Sequence, residues 1–372
     1  MPFREHIFGR NYRIKIQSEQ RDKIFSNLNE LMKLYPDAET TEDDIVIKIV
    51  DHFDQDIIAR NPGSHEETKR GFIIHYSKFS IHYTKSKDNR LECEILPKIQ
   101  KNVIMRYLKK LNNIQYDSVP GRLAQIITEN LLIPSIYFNE DLAPVHSAGI
   151  ADPEERAILL GGTGGVGKTS LEIELCRNHG CSFINDDISV INGNGQVYSN
   201  LAFPKIYGYN LENNDEVKKI IFGTMPLHDK LAWHLKYRFL GPSKVRRKIS
   251  PDLLYDHILN KKTLLHKYII LMREDVSSIS IETVEPHVAA NATLQVMKTE
   301  YSFFHTHLQW HQYNSELMGR KPIIKVTDVF DRWKTLYFNV FKTIPVYRLI
   351  IPLKIDHNTF LQTAAPLILE TN

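Results

Sequence analysis

Gly162-Thr163-Gly164-Gly165-Val166-Gly167-Lys168-Thr169 is the stretch on which the reading of this chain turns. It fits the phosphate-binding pattern G-x-x-x-x-G-K-[ST] at every fixed position. Its context fits as well. Ala157–Leu160 (AILL) reads as an apolar strand running in. Ser170–Gly180 (SLEIELCRNHG) reads as an amphipathic helix running out, with Gly180 just past its end. Glycines let successive backbone N–H groups point inward at phosphate oxygens. The helix start adds free donors and partial positive charge. Lys168 then reaches the β- and γ-phosphates as a mobile cation, and the Thr169 hydroxyl coordinates Mg²⁺. Residues 162–170, Ser170 included, are the expected nucleotide-binding residues, with ATP and Mg²⁺ as ligands. The alternative is a glycine-rich turn that binds no nucleotide.

Downstream, Ser182-Phe183-Ile184 reads as a short strand ending in Asn185-Asp186-Asp187. On extended backbone two adjacent carboxylates point in opposite directions. One can face a metal while the other faces an acceptor hydroxyl, and phosphoryl transfer uses both. Asn192-Gly193-Asn194-Gly195 follows as a tight turn between strands. Upstream, His146 lies in Pro144-Val145-His146-Ser147-Ala148-Gly149. It is one of 16 histidines, and most such residues are structural or solvated.

Taken in order, these residues resemble the HPr kinase/phosphorylase family. The shared pattern is a histidine before the P-loop strand, the loop and its helix, a glycine, and a strand ending in Asp-Asp. The hairpin and the downstream Phe203-Pro204 are also similar, so the resemblance covers about residues 144–210. It implies a PEP-carboxykinase-like P-loop fold, and transfer of the ATP γ-phosphate to a hydroxyl, above all that of serine, in a protein, peptide or small molecule. It places the general base on Asp186, puts His146 near the phosphates and acceptor, and gives Thr169 and Asp187 to the metal. It also implies a homo-oligomer as an open expectation.

Working outward, 372 residues predict two domains or more. Hydrophobic residues at 42% and charged residues at 24% exclude wholesale disorder. No apolar run is long enough for a membrane span, and the charged start (MPFREHIFGRNYRIKI) lacks a signal-peptide core. Three cysteines make no disulfide framework. A cytoplasmic enzyme without a membrane partner is expected. Residues 1–115 read as a small α+β domain for recognition or oligomerisation. They hold a helix at 19–35 (Ile24, Leu28, Leu31, Tyr35), strands at 45–50, 71–84 and 91–96, a loop at 59–70 and a helix at 102–112. Residues 116–372 read as the α/β P-loop kinase domain with a mixed sheet and flanking helices. A helix at 121–132 ends at Pro134. Further strands are expected at 188–191, 267–272 and 346–351, with helices at 289–300 and 327–342.

A basic run (Lys236, Arg238, Lys244, Arg246, Arg247, Lys248) surrounds Gly241-Pro242-Ser243 and reads as a flexible lid. Arg246 and Arg247 are the first choices for a phosphate clamp. The run also keeps open a nucleic-acid-directed kinase. A nucleotide-binding regulatory or assembly module with weak hydrolysis is the third reading. His305, His307 and His311 lie together but lack the partners of a metal site.

Overall fold

Two large sheets organise the chain in a computed structural model, which describes residues 3–18, 21–38, 40, 42–77, 79–86, 88, 90–97 and 126–371. The first sheet has eight strands among the described residues: β1 (Phe3–Ile7), β2 (Arg10–Gln17), β3 (Ile45–Val50), β4 (Ile57–Asn61), β5 (His65–Thr68), β6 (Gly71–His75), β7 (Phe79–Lys85) and β8 (Leu91–Pro97). Their order is β1-β2-β3-β8-β7-β6-β5-β4. Ile45, Ile47 and Ile49 are buried, and the residues between them are half-buried, so period-two alternation sets the face of β3. Helix α1 (Arg21–Met32) buries Leu28 and Leu31, as its spacing predicted. The hairpin β1–β2 escaped the sequence reading. Phe8 (φ 53°) and Gly9 (φ 71°) make its two-residue turn, and Phe3, Ile7, Tyr12 and Ile14 supply the buried positions.

The second sheet has nine strands among the described residues. They are β9 (Leu142–Val145), β10 (Ser147–Ala151), β11 (Ala157–Gly161), β12 (Ser182–Asn185), β13 (Ser189–Asn192), β14 (Gln196–Tyr198), β17 (Thr263–Glu274), β18 (Ser280–Thr283) and β19 (Val346–Pro352). The main path runs β12-β10-β11-β17-β14-β13-β9, and β19 joins β17 to β18. β11 pairs in parallel with β17, and β17 with β19, while the other pairs are antiparallel. All five residues of β11 are buried, which is what an unbroken apolar strand inside a covered sheet requires. β15 (Lys205–Tyr207) and β16 (Arg246–Lys248) form a separate two-stranded ribbon. The longer helices are α2 (Lys168–Asn178), α3 (Asp215–Gly223), α4 (Leu227–Leu240), α5 (Pro286–Glu300), α6 (Ser302–Leu317), α7 (Val326–Phe341) and α8 (His357–Glu370). The architecture is thus mixed α/β. No helix among the described residues is long and apolar enough to cross a membrane.

Three expectations need correction. Residues 59–70 are not a loop but the hairpin β4–β5, turning at residues 62–64. β5 is strand despite its polarity because its polar side chains face inward onto polar partners. His65 Nδ1 meets His307 Nδ1 at 3.1 Å. His311 accepts the Ile323 N–H at Nε2, so its Nδ1–H donates to Glu67 Oε1 at 2.9 Å. Arg320 donates to the same oxygen at 3.2 Å. Second, Pro134 does not end its helix. A π-turn over Thr128–Leu132 widens the chain ahead of it, and helical backbone continues to Phe138. Third, the basic run is no flexible loop but the end of α4, a 3₁₀ turn at Pro242–Lys244 and β16. The predicted helix at 102–112 and the division near residue 115 lie outside the described residues.

Two α6 histidines carry a pH consequence. Burial holds the imidazoles of His305 and His307 down at about 4. The unfolded chain takes up these protons near pH 6.5, and the folded chain only near 4. Unfolding therefore binds protons within that window, so stability is full above pH 6.5 and is lost as pH falls towards 4. Each group contributes up to about 3 kcal/mol at 1.36 kcal/mol per unit. Urea midpoints are expected to fall steeply between pH 6.5 and 4.5, and a flat profile would refute this.

Candidate active site

The glycine-rich loop leaves β11 at Gly161 and enters α2 at Lys168. Gly162 (φ +124°) needs glycine twice over, since a Cβ there would sit 2.6 Å from the Leu271 carbonyl oxygen. Thr163, Gly164 and Gly165 form an exposed rim, while Val166 is buried beneath it. Gly167 (φ +115°) lies under the Phe360 ring of α8, 2.7 Å from where a Cβ would be. Lys168 Nζ donates to the carbonyls of Gly162 (2.9 Å) and Thr163 (2.8 Å), so the cation lies across its own loop. Burial lowers its pKa. The Ser170 hydroxyl is buried and accepts from Asn210 Nδ2 at 2.8 Å, which turns it away from the loop opening.

The acid pair divides in space. Thr169 Oγ1 donates to Asp186 Oδ1 at 2.9 Å, and the Lys205 N–H donates to Asp186 Oδ2 at 3.0 Å. Asp187 has φ +77°, so the chain turns and its carboxylate points elsewhere. It pairs with Lys205 Nζ, and its Oδ1 lies 3.9 Å from His146 Nδ1. The resemblance gives both Thr169 and Asp187 to the metal; the carboxylate beside the Thr169 hydroxyl belongs to Asp186. Burial, then the Asp187 charge, raises the pKa of Asp186. Burial opposes the charge on Asp187 too, but the Lys205 ammonium outweighs it and holds that carboxyl well below the usual range. Burial, helped by the Lys168 charge, pushes His146 down to about 4, so its ring is neutral at pH 7.

A cavity of about 260 Å³ opens in front of Asp186, Asp187 and His146. Its polar wall includes Lys205, Lys248, Glu129 and Glu300, and its apolar wall includes Tyr76, Tyr301, Phe303 and Phe304. Lys205 and Lys248 are direct cross-strand partners in the β15–β16 ribbon. Glu129 takes an ion pair from each, at 3.3 and 3.2 Å. Burial lowers Lys248 to about 8, and the surrounding acids raise Lys205 despite its burial. None of these four charged residues was singled out for the site by sequence reasoning, although Lys248 ends the basic run and Lys205 follows Phe203-Pro204.

The two clamp candidates, Arg246 and Arg247, lie in the same strand but not in the cavity wall. Alternation puts Arg247 opposite in direction to Lys248. Arg247 is fully buried and donates to Asp229 Oδ2 at 2.9 Å. Arg246 stacks over the Tyr207 ring, 5.8 Å from its centroid, and donates to the Tyr207 hydroxyl. Lys248, rather than either arginine, lines the cavity.

Among the described residues no group of three or more His, Cys, Asp or Glu side chains is placed to hold a metal. Mg²⁺ beside a nucleotide asks for less, one or two protein oxygens completed by phosphates and water. The Thr169 hydroxyl and the Asp186 carboxylate fit that donor set. The raised proton affinity of Asp186 reflects burial beside a second negative charge, a setting that also favours a cation.

No family model matches the sequence, and no curated protein matches it. Among solved structures, the HPr(Ser) kinase/phosphatase from Coxiella burnetii is similar at 12% identity and a TM-score of 0.25. The match covers 61% of this chain and 99% of that chain.

Proposed function

We propose that the chain is an ATP- and Mg²⁺-dependent phosphotransferase with a PEP-carboxykinase-like P-loop domain and a hydroxyl group as acceptor. The observation that carries this reading is the Thr169–Asp186 hydrogen bond of 2.9 Å at the mouth of a glycine-rich loop. A hydroxyl and a carboxylate joined in this way at a P-loop helix are what a magnesium nucleotide requires of a protein. When bound, the cation would neutralise charge on the transferring phosphate.

The chain's own residues do the rest. Loop N–H groups and Lys168 hold the phosphates. Asp187, ionised and facing the cavity, orients the acceptor hydroxyl and takes its proton, while His146 stands beside it as a neutral partner. The acceptor oxygen bonds to the γ-phosphorus, the bond from that phosphorus to the bridging oxygen breaks, and ADP leaves. The carry-over from the resemblance keeps Asp186 and Asp187 as the working pair but exchanges their roles. Transfer in a loose transition state rests on positioning and charge, so the low proton affinity of Asp187 does not disqualify it.

Titration calorimetry with MgATP tests the nucleotide half of this reading. Lys168→Ala is expected to weaken binding roughly 10- to 100-fold, the 1.5–3 kcal/mol of hydrogen bonds to a charged group. Undiminished binding by that variant would rule out a P-loop site.

A further inference from the structure

His146 is a cavity residue whose hydrogen bonding the fold leaves incomplete. It is 6% exposed, and neither ring nitrogen reaches a hydrogen-bond partner. A buried polar atom left unpaired costs about 1–3 kcal/mol. Two carboxylates stand just out of reach on opposite sides of the ring. Asp187 Oδ1 is 3.9 Å from Nδ1, and Glu300 Oε1 is 3.8 Å from Nε2. Each gap is too long for a direct bond and right for one interposed atom at about 2.8 Å from both sides.

The chemistry of the two interposed groups follows from the ring. A neutral imidazole offers one donor and one acceptor. A hydroxyl between Nδ1–H and Asp187 accepts from the ring and donates to the carboxylate. Nε2 is then an acceptor, so the group between it and Glu300 must donate in both directions. An ammonium does this and brings positive charge. Glu300 has no cation of its own: Glu129 and Asp187 each pair with a lysine, whereas among the described residues no lysine or arginine lies within ion-pair distance of Glu300.

We infer that the acceptor is a small amino alcohol whose hydroxyl lies between His146 and Asp187 and whose ammonium lies between His146 and Glu300. The two groups are separated by an imidazole ring and two hydrogen bonds, roughly 6–7 Å. Vicinal amino alcohols are too short to span this. The aromatic side chains of Tyr76 and Tyr301 flank the body of such a molecule. This inference rests on the phosphotransferase reading. In the reaction, the hydroxyl proton passes to Asp187 as the oxygen takes the γ-phosphoryl group and ADP departs.

Three probes test it with the full chain and γ-labelled MgATP. They are 5-aminopentan-1-ol, whose flexible chain lets its groups stand about 6–7 Å apart around the ring edge, ethanolamine, with adjacent groups, and the neutral pentane-1,5-diol. The first is expected to be labelled with kcat/KM roughly tenfold or more above the other two, as a charged hydrogen bond is worth. Glu300→Gln should erase its advantage over the diol, and Glu300→Asp, which keeps the charge, should retain part of it. MgATP affinity is measured beside each variant, because the Glu300 charge also acts on Lys168. Equal labelling of amine and diol, a preference that survives Glu300→Gln, or no labelled probe in a chain that binds MgATP would each overturn the amine site while leaving the nucleotide reading in place. Failure to bind MgATP at all would overturn both.

Discussion

Asp187→Asn is expected to lower phosphoryl transfer by roughly 10²- to 10⁴-fold, the range for a positioned proton acceptor, with MgATP affinity unchanged. Asparagine suits the test because it tolerates the left-handed backbone that Asp187 adopts at φ +77°. The variant removes the charge that faces His146 and Lys205 without rebuilding the turn. Asp186→Asn should behave differently. It weakens the carboxylate that meets Thr169, so MgATP binding falls, and raising Mg²⁺ recovers part of the activity. Transfer at saturating Mg²⁺ should still be about 10²- to 10³-fold down, as when one preorganised electrostatic partner is lost. The comparison separates the two assignments of the pair. If Asp186→Asn leaves Mg²⁺ dependence untouched and Asp187→Asn alters it, the roles are those that the family resemblance implied, not those drawn from the hydrogen bonds.

Glu67→Ala is expected to cost about 3–5 kcal/mol of stability, the penalty for removing one member of a buried charged set. Glu67 is 1% exposed and accepts from both His311 and Arg320. Its loss leaves the His311 Nδ1–H without its acceptor between β5 and α6, while Arg320 keeps the Thr68 and Lys69 carbonyls. Glu67→Gln keeps an oxygen and the shape, so it should cost less. Urea unfolding checks both, and a loss below about 1 kcal/mol for the alanine variant would show the cluster to be mere contact. A functional readout accompanies it. Phe303 and Phe304 of α6 and Tyr76 just after β6 line the cavity. Loosening the β5–α6 contact should raise KM for the acceptor and leave nucleotide affinity in place.

What was legible in the sequence was what is local. The glycine-rich motif at 162–169 is eight consecutive residues between a strand and a helix, and each element carries its own signal. β-Branched content likewise marked β3, and the NGNG turn folds back at Gly195 (φ +72°) as its residues require. Polar strands were hidden. β5 buries His65, Glu67 and Thr68, two of them adjacent and all polar, which no hydropathy pattern reports. The cavity charges were hidden for a different reason. Lys205 meets Lys248 only through the pairing of β15 with β16, and Glu129 and Glu300 enter from helical segments far away in the chain. Residue type alone favoured arginine as the clamp; strand parity decides that Lys248, not Arg247, faces the cavity.

The backbone of Asp187 sets a limit on how this chain can be improved. Left-handed backbone at a residue with a Cβ costs roughly 1–2 kcal/mol, less for Asp than for bulkier types. A library sorted only for thermal robustness should therefore enrich glycine or asparagine at 187, because both relieve the turn. On the proposed chemistry, every such winner loses the carboxylate that faces the acceptor. Position 187 is thus a place where heat tolerance and turnover are exchanged, and where a stability screen without an activity screen would select a well-folded, idle protein.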